Sequence, residues 1–71
     1  MELRHLRYFI AVAEQQGISQ AAARLHITQP ALTRQIHSLE EEIGVPLFTR
    51  SASGMEITPA GSALLQHALK I

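Results

Sequence analysis

Gln29, Pro30, Thr33, Arg34 and His37 step along one face of a segment whose opposite face carries Leu32, Ile36, Leu39 and Ile43. If the apolar stripe points inward, the polar set points out, and its chemistry suits the edge of a base pair. A glutamine amide can hydrogen-bond adenine, a guanidinium can hold guanine through two bonds, and a threonine methyl can meet the thymine methyl. Glu40, Glu41 and Glu42 sit at the far end of the same segment, where a phosphate backbone would repel them. Charge therefore orients such a helix with its N-terminal half toward a nucleic acid. Ser19 and Thr28 stand where helix caps belong and could also donate to phosphate. Arg50 and His37 are further candidates for phosphate. Arg4 and Arg7 read better as solvated or intramolecular partners.

Other chemistries find little support. His5, His26, His37 and His67 lie far apart and show no i, i+4 pairing, and the chain has no cysteine, so no metal site is expected. No nucleophile stands beside a base, and there is no glycine-rich phosphate loop. The sequence is read as a non-enzyme that needs no cofactor.

The elements that must position these residues follow from periodicity and breakers. Leu3, Leu6, Phe9, Ile10 and Ala13 recur at helical spacing and predict a first helix, with Gly17 as its left-handed stop. Ser19 is expected to cap a second helix, Gln20 to Leu25, whose alanines permit close packing. His26 and Ile27 make the turn. Thr28 caps a third helix with Pro30 in its first turn, and Gly44 and Pro46 end it. Residues 18–44 thus read as a helix-turn-helix. Val45 to Arg50 and Met55 to Thr58 are expected as two short strands, a wing, with the turn at 51–54. Thr58 then caps a fourth helix opened by Pro59, with Leu64, Leu65, Ala68 and Leu69 along one face. That helix has no stop signal before Ile71 and is expected to run on. Its apolar face could pack wholly on this domain's own core, but because a thirteen-residue segment is marginal alone, part of it is assigned to pairing with the same helix of a second copy. The expected fold is mainly α, with a winged helix-turn-helix at 1–58 and the start of a linker, or dimerisation, helix at 59–71.

Composition sets the bounds. Seventy-one residues with 46% apolar content support one small folded domain. Six basic and six acidic side chains give a formal charge of zero, which excludes strong generic affinity for a polyanion and demands a few specific contacts. Arg4, His5 and Arg7 precede an apolar stretch, but Glu14, Gln15 and Gln16 cut it short of a leader or a membrane span. No membrane association is expected, and the chain is assigned to the cytoplasm. The rival reading is a helical protein–protein interaction module of the same fold. It would want apolar residues on the exposed face of the third helix, where only Pro30 and Ala31 are found.

The opening LRHLRYFIAVAE, the block SQAAARLHITQPALTRQIHSLEEEIGVPLFTR and the join GMEITPAG resemble the N-terminal DNA-binding domain of LysR-type transcriptional regulators. The resemblance covers the whole chain. It implies sequence-specific binding of double-stranded DNA, with the third helix in the major groove. It implies base contacts from Gln29, Pro30, Thr33 and Arg34, and backbone contacts from Ser19, Thr28 and Arg50. It further implies a homodimer on an interrupted palindrome, a tetramer for the full-length protein, and a small-molecule inducer bound by a separate C-terminal domain. One departure is visible. Many members carry an arginine or lysine in the wing near position 53, whereas here the turn reads Ser51-Ala52-Ser53-Gly54.

Overall fold

The computed structural model describes residues 2–52 and 54–70; the Ser53 position of the wing turn lies outside them, as do Met1 and Ile71. In chain order the elements are α1 (Leu3–Gln15), α2 (Ile18–Leu25), α3 (Gln29–Ile43), β1 (Phe48–Ser51), β2 (Gly54–Ile57) and α4 (Pro59–Ala68). The strands form one antiparallel hairpin in which Phe48 faces Ile57 and Ser51 faces Gly54. This is the winged helix-turn-helix expected from the pattern. Among the described residues, no helix is long and apolar enough to cross a membrane.

The core forms where α1, α2, α3 and the wing converge. Phe9 and Val12 of α1, Ala21 and Ala22 of α2, Leu32, Ile36 and Leu39 of α3, and Leu47 and Phe48 at the wing are all buried. The rings of Phe9 and Phe48 lie 5.4 Å apart and tilted by 45°, an arrangement aromatic pairs favour. Each fully buried large side chain contributes roughly 1.5–3 kcal/mol by leaving water. The inward face of α1 is therefore rotated from the expected stripe. Phe9 and Val12 are sealed, Leu6, Ile10 and Ala13 are half-buried, and Leu3 is 67% exposed at the first turn. The helix packs on α2, α3 and α4 together, so it buries a broad face rather than one line. Ile43 likewise lies at the edge of its stripe and is partly exposed.

The junctions explain two further departures. The left-handed residue that ends α1 is Gln16 (φ 56°), not Gly17, and its N–H donates to the Val12 carbonyl at 2.8 Å. Gly17 is extended and serves as N-cap of α2, its carbonyl accepting the Ala21 N–H at 3.3 Å. Helix α2 thus starts at Ile18, whose side chain packs against the core. Ser19 falls inside the first turn and does not cap it. At the other end of α2, His26 takes φ 60° and the chain reverses into α3. The remaining punctuation acts as expected: Thr28 Oγ1 accepts the Ala31 N–H at 3.2 Å, and Gly44 ends α3 at φ 91°.

The strands start and stop off the expected limits because their flanks are held by other groups. Glu40 of α3 accepts the N–H groups of Leu47 at 2.7 Å and Phe48 at 3.3 Å, and the paired strand begins at Phe48 rather than Val45. The wing is also tied to the end of α1. Met55 donates its N–H to the Gln16 carbonyl at 3.4 Å. Gly54 there has φ 131°, and a Cβ on it would fall 2.8 Å from the same carbonyl. At the exit, Thr58 Oγ1 donates to the Pro46 carbonyl at 2.8 Å and accepts the Gly61 N–H at 3.0 Å. Its own N–H donates to the Leu47 carbonyl at 2.9 Å. Helix α4 lies so close to the chain at Leu47 that a Cβ on Gly61 would overlap that carbonyl oxygen.

Helix α4 does not leave its apolar face wholly free. Ala68 is buried, Leu64 and Leu65 are half-buried against this chain's own core, and Leu69 is 62% exposed. Much of the face assigned from sequence to a second copy is thus engaged within the chain.

Candidate nucleic-acid interface

Helix α3 owes its exposed N-terminal half to its start. Thr28 satisfies the Ala31 amide, and Pro30 lacks the donor that a first turn would leave idle. With Leu32 and Ile36 locked into the core, Gln29, Pro30 and Arg34 stand in solvent and Thr33 is half-buried beside them. Together these residues line a shallow open concavity on the outer surface. The polar set read from the sequence is therefore contiguous in space.

A groove of about 330 Å³ runs from this surface toward the wing. It is bounded by the start of α2 with Ser19, by Gln29 and Thr33 of α3, and by Arg50 of β1 with Gly54 and Met55 opposite. The first turn of a helix carries amide donors without intrahelical partners, and no side chain caps α2 at Gly17. Helix amides, a hydroxyl and a guanidinium thus share one groove, a combination that suits a phosphate. A narrower crevice of about 130 Å³ continues between α3 and the wing, with Thr33, His37, Glu40 and Arg50 on its walls. His37 thus lies toward the wing side of α3, one turn beyond Thr33, which lines both spaces.

Ser19 and Gln29 are also bonded to each other. The Gln29 Nε2 donates to Ser19 Oγ at 3.3 Å across the turn. Thr28 Oγ1 is occupied as an acceptor by the Ala31 N–H, so what it retains for a ligand is its hydroxyl proton. Arg4 is accounted for within the chain: its guanidinium sits 3.0 Å from Glu2 and holds that carboxyl below the usual carboxylate range through the hydrogen bond and its charge.

Sequence reasoning missed Glu40. It grouped this residue with Glu41 and Glu42 as charge turned away from DNA, but its carboxylate is half-buried and bonded to the wing, while its two neighbours are exposed. The signal was present in the tight Gly44–Pro46 reversal. A chain that doubles back there brings the next amides beside the last turns of α3, where an acid can accept them. Among the described residues, no group of three or more His, Asp or Glu could hold a metal ion.

Comparison with known proteins places this geometry. The profile of the bacterial regulatory helix-turn-helix proteins of the lysR family matches residues 3–62. The HTH-type transcriptional regulator TfdS of Cupriavidus pinatubonensis is 56% identical over all 71 residues, and ClcR of Pseudomonas putida is 55% identical. The chain spans 24% of the length of each of these relatives. Among solved structures, the CbnR DNA-binding domain in complex with DNA superposes with a TM-score of 0.93 at 51% identity, covering 99% of this chain and 80% of that one. The BenM DNA-binding domain on its catB site 1 DNA superposes with a TM-score of 0.94, also at 51% identity, covering 99% and 79%. The chain belongs to the lysR family of bacterial regulatory helix-turn-helix proteins.

Proposed function

We propose that this chain is a sequence-specific reader of double-stranded DNA that lays the N-terminal half of α3 in the major groove. The observation that carries the reading is the contiguous outer surface of Gln29, Pro30, Thr33 and Arg34, flanked by the groove of Ser19 and Arg50. A helix fits the major groove, and this face offers an amide, a guanidinium and a methyl to base edges. Ser19, Thr28 and Arg50 take the phosphates on either side, with His37 reaching the backbone from the wing side. The DNA complexes formed by the CbnR and BenM domains of the same fold support this use of the surface.

In the whole protein, residues 1–58 act as the DNA-binding unit and 59–71 begin a linker helix. Two copies joined through that helix, with Leu69 and the outer sides of Leu64 and Leu65 at the contact, address the halves of an interrupted palindrome. Ala68, buried within the chain, serves the joint from inside. The full-length protein assembles as a tetramer and controls transcription in response to a small molecule held by a further domain. It acts in the cytoplasm at the nucleoid, as a binding protein rather than an enzyme.

Fluorescence anisotropy on a pool-selected duplex and a scrambled control, at two salt concentrations, tests the reading. A preference of ~10³ or more for the selected site, with a modest salt slope, is expected. Weak and equal binding to both duplexes would refute it for this chain and favour a protein–protein role for the same fold.

A further inference from the structure

We infer that Ser19 is a positioning residue that fixes the side-chain amide of Gln29 and so sets which base that amide reads. The inference rests on the placement of α3 in the major groove proposed above. The terminal torsion of a glutamine is broad and nearly two-fold. A free Gln29 could therefore present its carbonyl or its amino group to the same base with similar ease. Here Nε2 donates to Ser19 Oγ at 3.3 Å; a hydroxyl can donate as well as accept, so this bond selects one orientation of the amide once the Ser19 proton is given to a phosphate oxygen.

The partner is itself held. Ser19 is the second residue of α2, between Ile18, which packs on the core, and the buried pair Ala21 and Ala22. Both polar side chains line the groove that runs to Arg50. An amide has two N–H donors and one carbonyl. With one N–H committed to Ser19, one donor and one acceptor remain. Adenine presents that complement in the major groove, N7 as acceptor and N6–H as donor, whereas guanine presents two acceptors. The pinned amide accordingly favours adenine, because guanine O6 would oppose the Gln29 carbonyl. Ser19 Oγ accepts in this bond and keeps its own proton for a phosphate oxygen, so backbone register and base reading pass through one hydroxyl.

The test compares this chain with Gln29→Ala, Ser19→Ala and Ser19→Thr on the selected duplex and on duplexes with each base pair changed in turn, after thermal melts establish that all four are folded. Gln29→Ala identifies the base pair it reads. Ser19→Ala is expected to reduce adenine-over-guanine discrimination at that one pair roughly three- to tenfold, as for loss of one hydrogen bond. Discrimination elsewhere should stay within about twofold, and Ser19→Thr should restore the preference. Equal weakening by Ser19→Ala on every duplex would overturn the inference and leave Ser19 a phosphate contact alone. No change in discrimination at the Gln29 pair would overturn it as well. Failure of the parent chain to discriminate among duplexes would instead bring down the DNA-reading proposal on which the inference stands.

Discussion

Replacing Glu40 by alanine strips the wing of the acceptor that holds its first two amides. The bonds run from Leu47 at 2.7 Å and from Phe48 at 3.3 Å. Both residues are nearly sealed, at 1% and 7% exposure, so water reaches their amides poorly after the carboxylate is gone. A hydrogen bond to a charged group contributes about 1.5–3 kcal/mol, and the longer of the two belongs at or below the low end. Glu40→Ala should therefore cost about 2–4 kcal/mol. A chain of this size holds roughly 4–11 kcal/mol in total, so the variant should melt far earlier. Urea unfolding followed by circular dichroism reads the difference. Glu40→Gln keeps an acceptor oxygen and should lose only about 1 kcal/mol. Glu41→Ala, one residue along and exposed, should stay within about 0.5 kcal/mol of the parent. If Glu40→Ala were as stable as Glu41→Ala, the carboxylate would be an ordinary solvated charge, and the reasoning that makes it the tie between recognition helix and wing would fail.

Three other outcomes follow from the same geometry. Arg34→Ala should weaken cognate DNA binding by about 1–3 kcal/mol and relax preference at one base pair; equal losses on cognate and random duplexes would make it a phosphate contact. Arg50→Ala should weaken all duplexes alike and lower the slope of log K against log salt by about one; an unchanged slope would remove Arg50 from the backbone. Gly61→Ala should gain up to about 1 kcal/mol of helix propensity. It should lose more to the Leu47 carbonyl and the Ile57 side chain, both closer than 3 Å to the new Cβ, for a net loss of about 1–2 kcal/mol. A thermal melt at or above the parent's would show that α4 can step aside.

Much of this is legible in the residues themselves. The α3 stripe, the Thr28 and Thr58 caps, Pro30, Pro59 and Gly44 each encode a local rule, and each is obeyed. The outward face of α3 followed because a helix that buries Leu32, Ile36 and Leu39 has no choice about where Gln29 and Arg34 point. What escaped depends on contacts between distant segments. Gln16 rather than Gly17 takes the left-handed turn, and its carbonyl accepts the Met55 amide of the wing, a partner that nothing local records. Ser19 looked like a cap by type, but Ile18 carries α2 back to Gly17. The apolar face of α4 carries two readings in the sequence because its local pattern cannot distinguish this chain's core from another chain's helix.

The joint at Thr58 has mechanical consequences. Its hydroxyl spans Pro46 and Gly61, its amide holds Leu47, and Gly61 lets α4 lie directly on that same peptide. Helix α4 cannot swivel about its first turn without breaking all of these at once, so it behaves as a stiff handle on the domain rather than a tether. Torque applied to the handle is delivered to α3 through Leu47 and Glu40 with little slack. In an assembly joined through such handles, the pitch and separation of two recognition helices are set by where the handles cross. A rearrangement elsewhere in the protein would then be felt at the DNA as a change in angle, with each domain keeping its own shape.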